Sequence, residues 1–534
     1  MTSTIQILVL LLAIVAATAL AADRLKIPPS ILLVVIGVAL ALVPGLPTVA
    51  LAPEFVLLLV LPPLIYSSSV AMSWREFKFN LRPITLLAVG CVLFTTVTVA
   101  AVTHWLLYLP WPVAMLLGAI VSPPDAVAPL SIVRRLQLPR RIAVVLEGEG
   151  LANDATALIL YRFAVVAVTA GTFSIGAAAG MFFVILGGEI AWGIVAGWIM
   201  LRLRRWVRDT RIEITLSILT PFVAYWPPEY LGGSGVVATV AAGLYISWNG
   251  LRLISAATRL QGIFFWDFFT YIIEGMVFLI TGLQARALAG GISRFSVAEL
   301  VTAGAIVTAV VIIARFIWIY PATYLPRWLS PSLRERDPSP PWQYVFVLSF
   351  TGVRGIVSLA AALAIPLATE SGRPFPARDL ILFLTFSVIL ATLVGQGLLL
   401  PAVIRALGLA HAGQREHEAD RAEERAARQH AVRAGESRLE QLRVERDLAE
   451  EVVQPLRTRL HERLRHASHR GDGDHAHQQL VDQHDEIERM LIDAERDALN
   501  DLFRSGGLKD EARRRIEREL DLREAHLANQ RSGD

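Results

Sequence analysis

Up to about residue 407 the apolar residues of this chain form continuous blocks about 15 to 30 residues long, separated by short polar or proline-containing breaks. About 20 apolar residues make a helix long enough to cross a roughly 30 Å hydrocarbon core. Reading the blocks against their breakers predicts thirteen spans. The first seven are Ile5 to Ala22, Pro28 to Val43, Phe55 to Ser69, Leu81 to Tyr108, Pro112 to Val133, Arg141 to Ala170 and Ser174 to Leu203. The remaining six are Ile212 to Trp226, Ser234 to Trp248, Gly262 to Ala285, Ser296 to Pro321, Trp342 to Ala368 and Leu380 to Leu407. The fold class is therefore an all-α polytopic membrane protein.

The loops give the chain an orientation. Alternate loops carry nineteen basic residues, such as Arg75, Lys78, Arg134, Arg135, Arg202 and Arg327, whereas the intervening loops carry four: Arg286, Arg294, Arg373 and Arg378. By the positive-inside rule the N-terminus lies outside and the C-terminal part lies in the cytoplasm, as fits a bacterial plasma membrane. ATALAAD near residue 20 resembles a signal-peptide cleavage pattern, but no basic residue precedes Asp23, so the segment reads as the first span.

From about Ala410 the composition turns to Arg, Glu, His, Ala and Gln, which divides the chain into a membrane domain, 1–410, and a cytoplasmic helical tail, 411–534. Leu448, Val452, Leu456, Leu460 and Leu464 recur at helical spacing, with Pro455 expected to kink or end their helix. Leu480, Ile487, Leu491, Ala498 and Leu502 make a second stripe, and HASHRGDGDHAH reads as the connector. The overall charge of +3 divides unevenly, near +9 for the membrane part and near −6 for the tail, which argues against nucleic acid as a partner. Ten of the eleven histidines lie in the tail, where solvated helices explain them more simply than a metal site. The single cysteine, Cys91, excludes an internal disulfide.

Four ionisable groups interrupt the blocks near their centres. Asp154 lies thirteen residues into the sixth span, ~20 Å at 1.5 Å per residue, and Asp125, Glu274 and Arg354 lie twelve or thirteen residues into the fifth, tenth and twelfth. A charge at that depth costs about 2.5 to 3.5 kcal/mol on insertion scales, so each is a functional candidate that needs a partner or water. Two of these spans are poor helices at the same level: Pro123 and Pro124 precede Asp125, and Gly352 and Gly355 flank Arg354. Interrupted helices survive at membrane depth only where protein or water satisfies their backbone. The breaks are seven spans apart, at equivalent positions of two inverted six-span halves, which is the sequence pointer to a transporter's substrate site.

The ordered set EGEGLANDATALILY, VSPPDAVAP, SGVVATVAAGL, the acidic tenth span and GVRGIVSLA resembles the electroneutral sodium/proton exchanger branch of the monovalent cation/proton antiporter family, over about residues 5 to 407. The resemblance implies alternating access, crossed discontinuous helices, a homodimer, and one aspartate that takes a cation or protons. By position that aspartate is Asp154, the ligand for Na⁺ as transported substrate, and Asn153 precedes it. The electrogenic branch has a second aspartate there, so Asn153 implies one proton per cation. Asp125 matches the aspartate of the family's T-D-P run, Glu274 its acidic residue in the tenth span, and Glu149 with Arg354 its buried ion pair. Arg315 and Arg162 read as side chains that snorkel or pair locally. Glu189 has no role in this reading, and the nearby Gly188, Gly193 and Gly197 suggest close helix contacts at a dimer interface.

The chemistry suits the residue types independently. A desolvated carboxylate holds its proton more tightly, and a hard monovalent cation prefers oxygen, so Na⁺ and H⁺ compete for the same atoms. No cofactor is called for; the partners are Na⁺ (or K⁺ or Li⁺), H⁺ and membrane lipid. The sequence departs from sodium-binding relatives where Pro124 replaces a threonine and Gly150 a serine, leaving the Pro124 carbonyl, Ser122 and Thr156 as substitute oxygens. A K⁺/H⁺ antiporter of the same architecture is the alternative. A channel lacks a visible filter. An intramembrane aspartyl protease using Asp125 and Asp154 lacks the expected G-x-G-D run, and nothing else suggests an enzyme.

Overall fold

The computed structural model describes residues 2–44, 51–170, 175–207, 209–250, 253–290, 296–369, 372–469, 475–504 and 510–531. Its regular structure among these residues is helical, apart from one isolated bridge between Ala368 and Pro374. The chain divides into two compact units, Met1–Arg415 and Glu416–Asp534.

In the first unit helices occupy all thirteen expected positions. Spans one to four are Thr2–Leu25, Pro29–Ala41, Pro53–Ala71 and Leu81–Leu107. Span five is two half-helices, Trp111–Val121 and Val127–Arg135, followed by span six, Arg140–Ala170. Spans seven to eleven are Ile175–Arg204, Thr210–Tyr230, Val236–Asn249, Ala256–Leu283 and Val297–Leu329. Span twelve is again divided, into Trp342–Phe350 and Ile356–Leu363, and span thirteen is Arg378–Ala406. Among the described residues, eight helices are long and apolar enough to cross a membrane by length and composition. Leu8, Leu12, Phe183, Val184, Trp198 and Ile313 are exposed, a surface that water would penalise and hydrocarbon does not.

Span eleven outruns its expected end. Pro321 closes the apolar block, yet the helix continues through Pro321 and Pro326 to Leu329. A proline deletes one backbone hydrogen bond, and packing on spans four, twelve and thirteen outweighs that loss.

Glycine sets a close approach between spans two and ten. A Cβ on Gly37 of span two would lie 2.4 Å from the Leu279 carbonyl oxygen of span ten, and one on Gly282 would lie 2.3 Å from the Val34 carbonyl oxygen. The two backbones touch, as membrane helices do where small residues meet.

The second unit has a small core of Ile492 and Leu520 with Leu499 packed against it. Arg496 is ion-paired to Asp521 and Glu524, and Arg523 to Glu495. The apolar stripes differ from the sequence reading, because Val452, Leu456, Ile487, Leu491 and Leu502 are exposed while Val453 and Ile492 are buried. Pro455 does not end its helix, Glu450–His469, which continues through it at the loss of one backbone hydrogen bond. The expected connector falls partly on residues 470–474, outside the described residues.

Gly282→Val inserts two methyls and a Cβ where only backbone fits. We expect it to cost about 1 to 3 kcal/mol, the usual range for overpacking, and to lower the thermal unfolding midpoint of the purified protein in detergent. An unchanged midpoint would mean that spans two and ten are not in backbone contact.

Candidate functional site

The site is built on two breaks laid against each other. Span five stops at Val121 because Pro123 and Pro124 bring no N–H to continue it, and the helix resumes at Val127. Asp125 sits at that restart, its Oδ1 accepting the Val127 N–H at 2.9 Å. Span twelve stops at Phe350 and resumes at Ile356. The Asp125 N–H donates to the Val353 carbonyl at 2.7 Å, joining break to break. Gly355 is required at the crossing, since a Cβ there would lie 1.8 Å from Asp125 Oδ2.

Two buried arginines close the helix ends that the breaks create. The last carbonyls of a helix have no partner within it and carry the negative end of its dipole. Arg354 donates from Nε to the Val121 carbonyl at 2.9 Å, from Nη2 to the Ser122 carbonyl at 3.2 Å, and from Nη1 to the Gly352 carbonyl. Its own N–H donates to Thr392 Oγ1 at 3.0 Å, on the wider, π-helical turn Ala391–Gln396 of span thirteen. Arg315, in span eleven, donates from Nε to the Leu348 carbonyl at 3.1 Å, near the end of the other first half-helix.

The buried ion pair is not the expected one. Glu149 is bound by Arg315, through Nη1 at 2.5 Å and Nη2 at 2.7 Å, with both side chains no more than 2% exposed. Arg354 spends its guanidinium on backbone carbonyls instead. Nor does Arg315 snorkel, as it joins span eleven to span six across 166 positions of sequence. Arg315 escaped the argument that singled out Arg354 because its apolar block was expected to end at Pro321, which sets it near the membrane surface, whereas the helix runs on to Leu329 and puts it near mid-helix.

A cavity of about 1430 Å³ reaches this crossing. At one end it is lined by Arg75, Arg134 and Arg259, which belong to the arginine-rich set of loops. At the other it is lined by Pro124, Asp125, Gly150, Asp154, Glu274 and Gly355. The Asp125 carboxylate lies within Coulombic reach of both Asp154 and Glu274. Asp154 and Glu274 accept no hydrogen bond from any described residue, and Asp125 accepts only that of Val127. The structure thus brings three carboxylates from three spans to one cavity.

Asn153 points elsewhere. Its amide Nδ2 donates to the Pro124 carbonyl at 2.6 Å, satisfying an acceptor that the break leaves free, and its Oδ1 has no partner among the described residues. Neither Ser122 nor Thr156 lines the cavity: both are buried, and Ser122 Oγ is engaged with Thr96 and the Ala119 carbonyl. Gly150 leaves no room for a hydroxyl, because even a Cβ there would lie 2.8 Å from the Ala126 Cβ.

Beyond Asp154 span six is closed in. Leu158 and Ile159 are buried, and Arg162, eight residues on, is ion-paired with Glu229 of span eight. Glu189 finds its role nearby, in span seven. It accepts the N–H groups of Ser234, Gly235 and Val237 and the Ser234 hydroxyl, capping span nine. Gly193 and Gly197 set span seven against Ala238 and Ala242 of span nine within the same chain, whereas Gly188 faces open space.

Residues 8–406 match the family described as sodium/hydrogen exchanger, transmembrane. Over 98% of its length the chain is 35% identical to an uncharacterised Na(+)/H(+) exchanger of Mycobacterium tuberculosis, spanning 96% of that protein. It is 34% identical to the sodium, potassium, lithium and rubidium/H(+) antiporter of Bacillus subtilis, over 70% of this chain and 57% of that one. The solved structure of the sodium proton antiporter MjNhaP1 from Methanocaldococcus jannaschii superposes with a TM-score of 0.60 at 19% identity, over 77% of this chain and 99% of that one. The fold is shared.

The pairing makes a quantitative prediction. Removing one partner of a buried pair costs about 3 to 5 kcal/mol because the other charge is left uncompensated. Glu149→Gln and Arg315→Gln should each lower stability by an amount in that range, and the double variant by much less than the sum. A double-mutant cycle of thermal unfolding in detergent checks this. Coupling of Glu149 to Arg354 as strong as to Arg315 would contradict the geometry.

Proposed function

The chain is a member of the sodium/hydrogen exchanger family, and from that premise we propose that it exchanges Na⁺ for H⁺ across the membrane, with Asp154 as the carboxylate that takes each in turn. The observation that carries the reading is the state of Asp154: it faces the inner end of a large cavity with no protein hydrogen bond, beside Asp125. A carboxylate in that position lowers its free energy by binding either a proton or a metal cation. Proton and cation cannot occupy the same oxygens together. Exchange is coupled because the empty charged site crosses the barrier poorly. Asp125 supplies further oxygens, the Pro124 carbonyl being held by Asn153, and Glu274 attracts the cation along the cavity wall. Asn153 brings no charge and acts on the Pro124 carbonyl, which supports one proton per cation and electroneutral exchange.

The protein lies in the plasma membrane, with the arginine-rich loops, the cavity mouth and residues 411–534 in the cytoplasm. It works as a homodimer, as the family resemblance implies. A second reading, K⁺ as the exchanged cation, has one specific support. With Gly150 against Ala126 the site gains no side-chain hydroxyl there, so fewer fixed ligands select for the smaller ion.

The test is exchange in proteoliposomes carrying an internal pH dye, with Na⁺, K⁺ or Li⁺ added and the membrane potential clamped and varied. Cation-driven proton movement at a rate indifferent to potential, lost in Asp154→Asn, is the expected result. Full exchange by correctly folded Asp154→Asn protein would remove Asp154 from its role. A rate that follows the potential would remove electroneutrality.

A further inference from the structure

A second polar site lies apart from the cavity just described. Three arginines from the ends of three spans, Arg82 of four, Arg141 of six and Arg327 of eleven, converge on one carboxylate, Asp337. The distances are 3.0, 2.7 and 2.7 Å. Three positive charges on one negative leave a surplus of two, and Arg82 and Arg141 each stand close enough to Arg327 to repel it. Nη1 of Arg82 is buried without a hydrogen-bond partner among the described residues. Asp337 therefore does not finish the site.

The space that these groups face has a definite character. A small cavity of about 50 Å³ begins at the three arginines and runs between spans four, six, eleven and twelve over Leu87, Val145, Ile319 and Val345. Its upper rim is cationic and its floor is apolar. The neighbouring outer surface is also apolar, with Phe79 67% and Trp328 76% exposed, and Phe79 lies under the Arg141 guanidinium. Arg82 and Arg141 keep 29% and 31% of their side chains exposed, so a ligand can reach them.

We propose that the mouth of this crevice binds an anionic phospholipid, its phosphate held by Arg82 and Arg141 and an acyl chain lying along the exposed apolar surface of Phe79 and Trp328. Charge complementarity selects the headgroup. Basic pockets between spanning helices at the membrane surface are where such headgroups are held. Planar guanidinium groups suit phosphate oxygens, and the orphaned Arg82 Nη1 is the donor that the phosphate completes. Free phosphate has the same headgroup chemistry but makes no use of the exposed Phe79 and Trp328. The floor also lies beside the Glu149 and Arg315 pair, since Leu348, which accepts from Arg315, lines the same crevice.

The test uses the purified full-length protein in detergent, with dioleoyl phosphatidylglycerol, dioleoyl phosphatidylcholine or inorganic phosphate added, and counts bound lipid by native mass spectrometry. We expect one phosphatidylglycerol to bind in preference to phosphatidylcholine, with affinity falling about fivefold in Arg82→Gln and again in Arg141→Gln. Asp337→Asn should strengthen binding, because it removes the competing carboxylate, whereas a purely structural cluster would only lose stability. Equal binding of the two lipids, or phosphatidylglycerol binding unchanged in both arginine variants and in Asp337→Asn, overturns the proposal. Displacement of the lipid by millimolar phosphate at no cost in affinity overturns the lipid in favour of the free anion.

Discussion

Backbone carbonyls released inside a membrane govern this structure. Breaking two helices at mid-depth exposes acceptors that lipid cannot satisfy, at several kcal/mol each. The chain answers with a guanidinium at each first half-helix: Arg354 reaches from the break of span twelve to the end of span five, and Arg315 reaches from span eleven to the end of span twelve. A buried guanidinium then needs a counter-charge, and for Arg315 Glu149 supplies it. Glu149 is five residues before Asp154 on one helix. The interaction that makes the broken backbone tolerable therefore also fixes the helix that carries the candidate carboxylate.

How far the sequence reveals this depends on the kind of information involved. Span positions were legible because solvent transfer acts on composition over some twenty residues, and the breaks were legible because proline and glycine act locally. The expected ion pair failed for a different reason. Arg315 and Arg354 lie at similar depth, and the choice between them rests on which helix packs beside span six, a property of tertiary approach that no local pattern encodes. Arg315 reads as a snorkelling side chain when Pro321 is taken to close its span, and that reading goes once the helix continues to Leu329.

Helical geometry sorts the neighbours of Asp154 in the same way. Successive residues point about 100° apart, so Asn153 and Asp154 cannot face the same space. One meets the backbone of span five and the other meets the cavity. Thr156 is rotated by a further two steps and is lost to the core, while Gly150, one turn back, shares the face of Asp154. Glu189 was opaque for a related reason, since the N–H groups it caps lie 45 to 48 positions away.

The crossing of the breaks also settles the polarity of what it can hold. Pro123 and Pro124 have no N–H. Those of Asp125, Val127 and Arg354 are each donated within the protein, to Val353, to the Asp125 carboxylate and to Thr392. The guanidinium of Arg354 is turned onto carbonyls. A pair of broken helices could have formed a cradle of donors for chloride or phosphate. In this pair the N–H groups of Asp125, Val127 and Arg354 are turned into the protein, and the carboxylates of Asp125, Asp154 and Glu274 turn their lone pairs to the cavity.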